Sequence, residues 1–142
     1  MSLDYRDLAQ APARSILGTL LQSPTPQRDL AQLRLQLHPS EFPFLEGAFF
    51  GVLIERMDAG QALDFASLLH DALSGQLRLL SMRPDELCQW LGALYGESVP
   101  SPAALPAWVE RVRVAARRQT ASQSLRGALQ ALSEGADPAQ VI

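Results

Sequence analysis

From Val99 to its end the chain reads VPSPAALPAWVERVRVAARRQTASQSLRGALQALSEGADPAQVI, three closely spaced prolines followed by a long run interrupted only by Gly127 before Gly135. Pro106 suits the first helical position, where a missing N–H is no loss, and Gly135 supplies the left-handed residue on which such a helix ends. The spacing predicts one helix over about residues 106–134, roughly 40 Å long at the usual rise per residue. Leu105, Trp108, Val109, Val112, Ala116, Leu125, Leu129 and Leu132 recur at steps of three, four or their sums, which predicts that most of them share one helical face. Over residues 119–124 the stripe lapses into QTASQS, so either the helix bends there or that turn lies in water. A rod with a split apolar stripe cannot bury both halves against one small head, and a second arm, another subunit or a partner should cover the remainder. Asp137 followed by Pro138 has the form of a new helix start. It reads either as the opening of a second hairpin arm or as a frayed terminus.

The preceding residues are punctuated as short helices with no sustained alternation, which predicts an all-α fold: a small multi-helix head over residues 1–98, then a proline-bounded link and long helix over 99–142, the start of a hairpin. After Pro12, Ile16, Leu17, Leu20 and Leu21 share a face, halted by Ser23 and Pro24. Thr25 and Pro26 open a second helix with Leu30, Leu33 and Leu37 turned inward, and Ser40 can cap a third whose Pro43 falls in the first turn. That third helix carries the densest apolar surface, Phe44, Leu45, Phe49, Val52, Leu53 and Met57, and is expected at the centre of the core. Gly47 and Gly51, one turn apart, suggest either a close helix approach or plain tolerance. Asp64 caps a fourth helix with Phe65, Leu68, Leu69 and Leu73 and a stop at Gly75. Pro84, Asp85 and Glu86 open a fifth, with Leu87, Trp90, Leu91 and Leu94 on one side and Gly96 at its end.

Little in the sequence is equipped for chemistry. The chain has two histidines, one cysteine and twelve basic residues, all of them arginine. Without lysine there is no Walker A motif, and no glycine-rich phosphate loop is present. His38 and Glu41 have a spacing seen in metal sites but lack a second histidine on the same helix. His70 reads as a boundary residue, Cys88 as a small core or boundary residue, and the acidic pair Asp85 and Glu86 as first-turn charges. We therefore expect no catalytic residue, cofactor or metal in this chain. A lone cysteine excludes an internal disulfide, and neither a leader nor an apolar run long enough for a bilayer is evident, so a cytoplasmic location is expected.

The net charge of −3 conceals an asymmetry: up to Pro100 there are twelve acids and seven arginines, and from Ser101 three acids and five arginines. Arg111, Arg113, Arg117, Arg118 and Arg126 make the long helix the basic part of an acidic protein. They spread around more than half the helix, and Trp108 is the one aromatic among them. A solvated face, a contact with an acidic partner and nucleic-acid binding are all compatible with that pattern. Trp108 itself reads as a core residue or as an interface anchor.

Taken together, the motifs resemble the N-terminal domain of the DnaB-type replicative helicases over roughly residues 12–142. Ile16, Leu17, Gly18, Leu20 and Leu21 stand where that family has V-L-G-x-L-L, and residues 37–42 (LHPSEF) are similar to its L-x-P-E-D-F. Leu63, Asp64, Phe65 and Leu68 resemble I-D-L-x-x-L, and Trp90, Leu91 and Leu94 resemble Y-L-x-x-L. Val99, Pro100 and Ser101 match V-P-S, with Trp108, Val112 and Arg117 or Arg118 in register with Y-x-x-x-V and a later arginine. Ala13 departs from the family's usual glutamate, and the ATPase portion lies outside this sequence. The C-terminal helicase-binding domain of DnaG-type primases shares the fold and is the alternative. The resemblance implies a non-catalytic module that self-associates into a collar and docks primase, helicase or loader. Leu105, Trp108, Val112, Leu125 and Leu129 are the expected contact residues, and Arg111, Arg113, Arg117 and Arg118 possible charged contacts. A nucleic-acid-binding domain using the arginine-rich helix is the alternative of another class.

Overall fold

Proline and aspartate set where several helices of this chain begin. The computed structural model describes residues 5–99 and 102–135, and within them the chain forms six α-helices and no strand. These are α1 (Tyr5–Gln22), α2 (Pro26–Leu33), α3 (Phe44–Asp58), α4 (Phe65–Leu73), α5 (Pro84–Tyr95) and α6 (Leu105–Ser133), with 3-10 turns at Pro39–Glu41 and Pro102–Ala104. Proline occupies the first turn of α2, α5 and α6, where its fixed φ favours entry. Gly60, Gly75 and Gly135 adopt positive φ after α3, α4 and α6, as glycines beyond helix ends do. The all-α expectation from the sequence therefore holds. Asp137 and Pro138, the possible opening of a second arm, lie outside the described residues, as do Pro100 and Ser101.

Asp64 caps α4 by accepting the Ser67 N–H at 3.0 Å. Hydrogen bonds from the Ser67 side chain and then from its backbone hold the Asp64 carboxyl below its ordinary value of 3.8. Replacing Asp64 by Ala is expected to cost about 1 kcal/mol at neutral pH. Because the folded value is the lower one, that contribution is complete well above 3.8 and is lost as the pH falls through and below it. Urea midpoints of parent and Asp64→Ala should therefore differ at pH 7 and draw together as the pH is lowered below 3.8. A difference that persists unchanged in acid would remove the charged cap from the account.

The core is one apolar cluster drawn from every α-helix. Phe49, Phe50 and Leu53 of α3 lie at its centre with Ile16 and Leu17 of α1, Leu30 and Leu33 of α2, Leu68 of α4 and Leu87, Leu91 and Leu94 of α5. Phe49 meets the edge of Trp90 at 5.2 Å between ring centres, and Phe42 packs on Phe50 at 4.7 Å. Leu77 and Leu79 bury the leucine-rich link after α4, and Leu80, at φ 53°, turns the chain back out.

Several sequence expectations need correction. Pro12 does not precede the first helix but sits within it, buried where α1 passes α6. One absent hydrogen bond in an eighteen-residue helix is tolerated when the ring supplies packing surface. Ser40 does not cap α3. His38 caps the preceding 3-10 turn, its Nδ1 accepting the Ser40 N–H at 3.1 Å while Glu41 Oε1 accepts the His38 N–H at 2.8 Å. Pro43 is then the residue just before α3. Phe44, expected in the core, is 80% exposed because it begins α3 beyond the edge of the head, and Leu73 is exposed while Ala72 takes the inward position on α4.

The residues leading into α6 are fastened to α1. Arg14 Nε pairs with Glu97 Oε2 at 2.7 Å, the Val99 N–H donates to Thr19 Oγ1 at 2.9 Å, and the Gln22 amide donates to the Tyr95 carbonyl. Gly18 lies against the Glu97 carbonyl, where any side chain would collide. This seam fixes the origin of the long helix on the head.

Candidate partner interface on the terminal helix

α6 is one uninterrupted helix, so the hydrophilic turn at residues 119–124 does not break it and lies largely exposed. Its two halves live in different surroundings. Val109, Val112 and Ala115 are buried, and Leu105 and Trp108 are half-buried against the core, so the proximal half belongs to the head. Beyond Thr120 no described residue of α6 is buried. Leu125, Leu129 and Leu132 are 62%, 58% and 43% exposed.

The halves also face different ways. Eighteen residues make about five helical turns, so Ala107, Arg111 and Val114 stand in line with Leu125, Leu129 and Leu132 respectively. Val112 and Leu125 are about thirteen residues apart, which places them on opposite sides. The expectation of a single apolar face fails for this reason. Steps of three and four hold locally, but summed across the polar turn they no longer preserve direction. Leu105, Trp108 and Val112 thus do not join Leu125 and Leu129 in one interface. Val112, at 0% exposure, is enclosed by its own chain and is no contact residue for a partner.

The arginines are likewise divided. Arg113 donates to the Gln36 carbonyl and so ties α6 to the end of the α2 region, and Arg117 pairs with Glu110 at 3.7 Å. Arg111 lies over the Trp108 ring at 4.5 Å. Arg118 is exposed and lines, with Arg111, a cleft of about 500 Å³ between α1 and α6. Pro12, Trp108 and Val114 supply its apolar wall. Sequence reasoning missed this cleft because it treated Pro12 as a boundary; the in-line spacing of Arg111, Val114 and Arg118 was the available signal. A second groove, about 930 Å³, runs between Pro39, Phe42 and Phe44 on one side and Ala116, Thr120 and Gln123 on the other.

The residues weighed for chemistry are spent on structure or scattered. His38 and Glu41 make the cap already described, His70 is exposed on α4, and Cys88 is half-buried against the core. Among the described residues no three His, Cys, Asp or Glu side chains gather as a metal site, and no described helix is long and apolar enough to cross a membrane. No family model, curated protein or solved structure matches this chain.

Proposed function

We propose that this chain is a non-catalytic interaction and oligomerisation module of the DNA replication machinery, of the kind that the N-terminal collar of DnaB-type helicases represents. Its partners are then copies of itself and a primase, helicase or loader. The observation that carries the reading is the distal half of α6, where Leu125, Leu129 and Leu132 project from a helix whose proximal half is anchored in the core. Leucines at steps of four and three form a seam suited to another helix. Left in water they are a liability; paired, each contributes on the order of 1 kcal/mol or more through the area removed from solvent. The order of elements, a head of short helices followed by a long terminal helix, supports the same reading.

Sedimentation velocity over increasing protein concentration tests it. The parent chain should sediment above its 15.5 kDa monomer mass at tens of micromolar, roughly the range for a small apolar interface. Leu125→Ser combined with Leu129→Ser should return it to the monomer without lowering its melting temperature, because neither side chain supports the core. A parent chain that stays monomeric throughout, or a double variant that associates as before, would dismiss the leucine face.

A further inference from the structure

We infer that the cleft between α1 and α6 receives an acidic amphipathic helix from a partner protein, with Arg111 and Arg118 each meeting a carboxylate. The proposal rests on the chain being a contact module but not on self-association, and it uses none of the exposed leucines.

Arg111 and Arg118 are seven residues apart, which on α6 is about two turns or 10 Å along one side. Between them lie Val114 and Ala115, and opposite stand Ala11 and Pro12 of α1. The result is an apolar trough with a guanidinium towards each end. Glu110 also reaches its rim, but its charge is offset by Arg117 at 3.7 Å, so the described lining carries net positive charge within an otherwise acidic protein. Arg118 makes no ion pair or hydrogen bond among the described residues, and Arg111 is occupied by the Trp108 ring rather than by an acid. A guanidinium held over an indole is partly pre-positioned and loses less entropy on binding than a free one.

The matching ligand carries two carboxylates two helical turns apart with an apolar side chain between them. Glutamates at i and i+7 around leucines at i+3 and i+4 meet that description on a helix. A nucleic-acid strand fits less well. Among the described residues two arginines line the trough, its floor is aliphatic, and one face of Trp108 is already covered by Arg111. That leaves no free aromatic platform and too few cations for a backbone track.

The test uses the full chain and a fluorescein-labelled alanine-based helical peptide bearing glutamates at i and i+7 and leucines at i+3 and i+4, followed by anisotropy. Controls are the same peptide with glutamine or lysine for both glutamates, and labelled oligothymidylate. The glutamate peptide should bind and weaken with added salt. Arg111→Gln should weaken it about fivefold and Arg118→Glu about tenfold, and the lysine peptide should bind Arg118→Glu better than it binds the parent. Such a charge swap is a readout that mere loss of folding cannot produce. No binding up to about 1 mM peptide, equal binding of the glutamine peptide, or absence of the swap would each overturn the proposal. So would oligothymidylate outcompeting the peptide and being lost in the same variants. Self-association is read separately by sedimentation: a monomer that binds the peptide keeps this proposal without the leucine seam, and an oligomer that ignores it does the reverse.

Discussion

Gly18→Ala is expected to destabilise the protein by about 3 kcal/mol or more, the upper range for inserting a methyl group into a packed contact. At an interior position of a helix the same change ordinarily stabilises by nearly 1 kcal/mol. The sign reverses here because a Cβ on Gly18 would overlap the Glu97 carbonyl oxygen and stand 2.6 Å from the Leu94 carbonyl oxygen. Both obstacles are backbone, and neither can rotate aside as a side chain would. The seam must open, and with it the Val99 N–H to Thr19 bond and the Arg14–Glu97 pair that seat the start of α6. A fall in melting temperature of about 10 °C follows for a chain of this size, together with faster hydrogen exchange at the Val99 amide. Gly92→Ala and Gly127→Ala serve as opposite controls, since a Cβ at either meets nothing within 4 Å and each should gain stability. If Gly18→Ala tracked these two instead, the close approach of α1 to the 94–99 segment would be wrong.

That glycine also marks the limit of what the sequence made legible. Local signals served well: Pro26, Asp64 and Pro84 start helices where they were expected to, and Gly75 and Gly135 lie just past helix ends. Each acts through backbone geometry within a turn of itself, so its neighbours in sequence suffice to read it. Gly18 acts through a carbonyl on a distant segment, and no local pattern announces it. Gly47 and Gly51 looked equivalent in sequence. Only Gly47 has a close neighbour, the Pro39 carbonyl, and Gly51 faces open space. The core was legible as a set of apolar positions but not at its edges. Phe44 and Leu73 have the right residue type and the wrong place, one at a helix end and one a step off the inward line.

The candidate interface was half legible for a similar reason. The length of α6 and the exposure of Leu125 and Leu129 follow from residue counting and from the polar turn at 119–124. Their direction relative to Val112 does not follow from short steps. It requires phase to be carried over several turns, where the 3.6 period drifts away from any sum of threes and fours. Once phase is kept, α6 resolves into an inner side that holds it to α1 and an outer side carrying Arg111 and Arg118 nearer the head and the leucines beyond. A module built this way can present two chemically distinct contacts from a single rigid element, because the core fixes one end of the helix and leaves the other end free of the head.

The second large effect is expected at the Arg56–Asp71 pair, far from that helix. Arg56 is 8% exposed, and its Nη1 lies 2.8 Å from Asp71 Oδ2. Its Nε and Nη2 donate to the Ala62 carbonyl at 3.1 and 2.6 Å. The guanidinium thus joins the end of α3, the turn after it and α4. Asp71→Ala leaves a nearly enclosed cation with a carbonyl but no carboxylate in contact, Asp64 acting on it only through its field, and Arg56→Ala removes three donors at once and leaves a cavity. Each should cost about 3 kcal/mol, the lower part of the range for breaking a buried pair, since the Asp71 side chain keeps some solvent at 21% exposure. Replacing both with apolar residues of similar size, Arg56→Met with Asp71→Leu, should cost less than either single change, because no uncompensated charge remains. Chemical unfolding of the three variants measures the coupling, and added salt should alter it little, as screening is weak for enclosed charges. Singles that lose under about 1 kcal/mol would reduce the pair to an ordinary surface contact. Sedimentation below the lowered melting temperature supplies the last discriminator. The pair joins α3 to α4 and includes no residue of α6, so all three variants should associate as the parent does, whereas the leucine variants should do the opposite, folding normally and failing to associate.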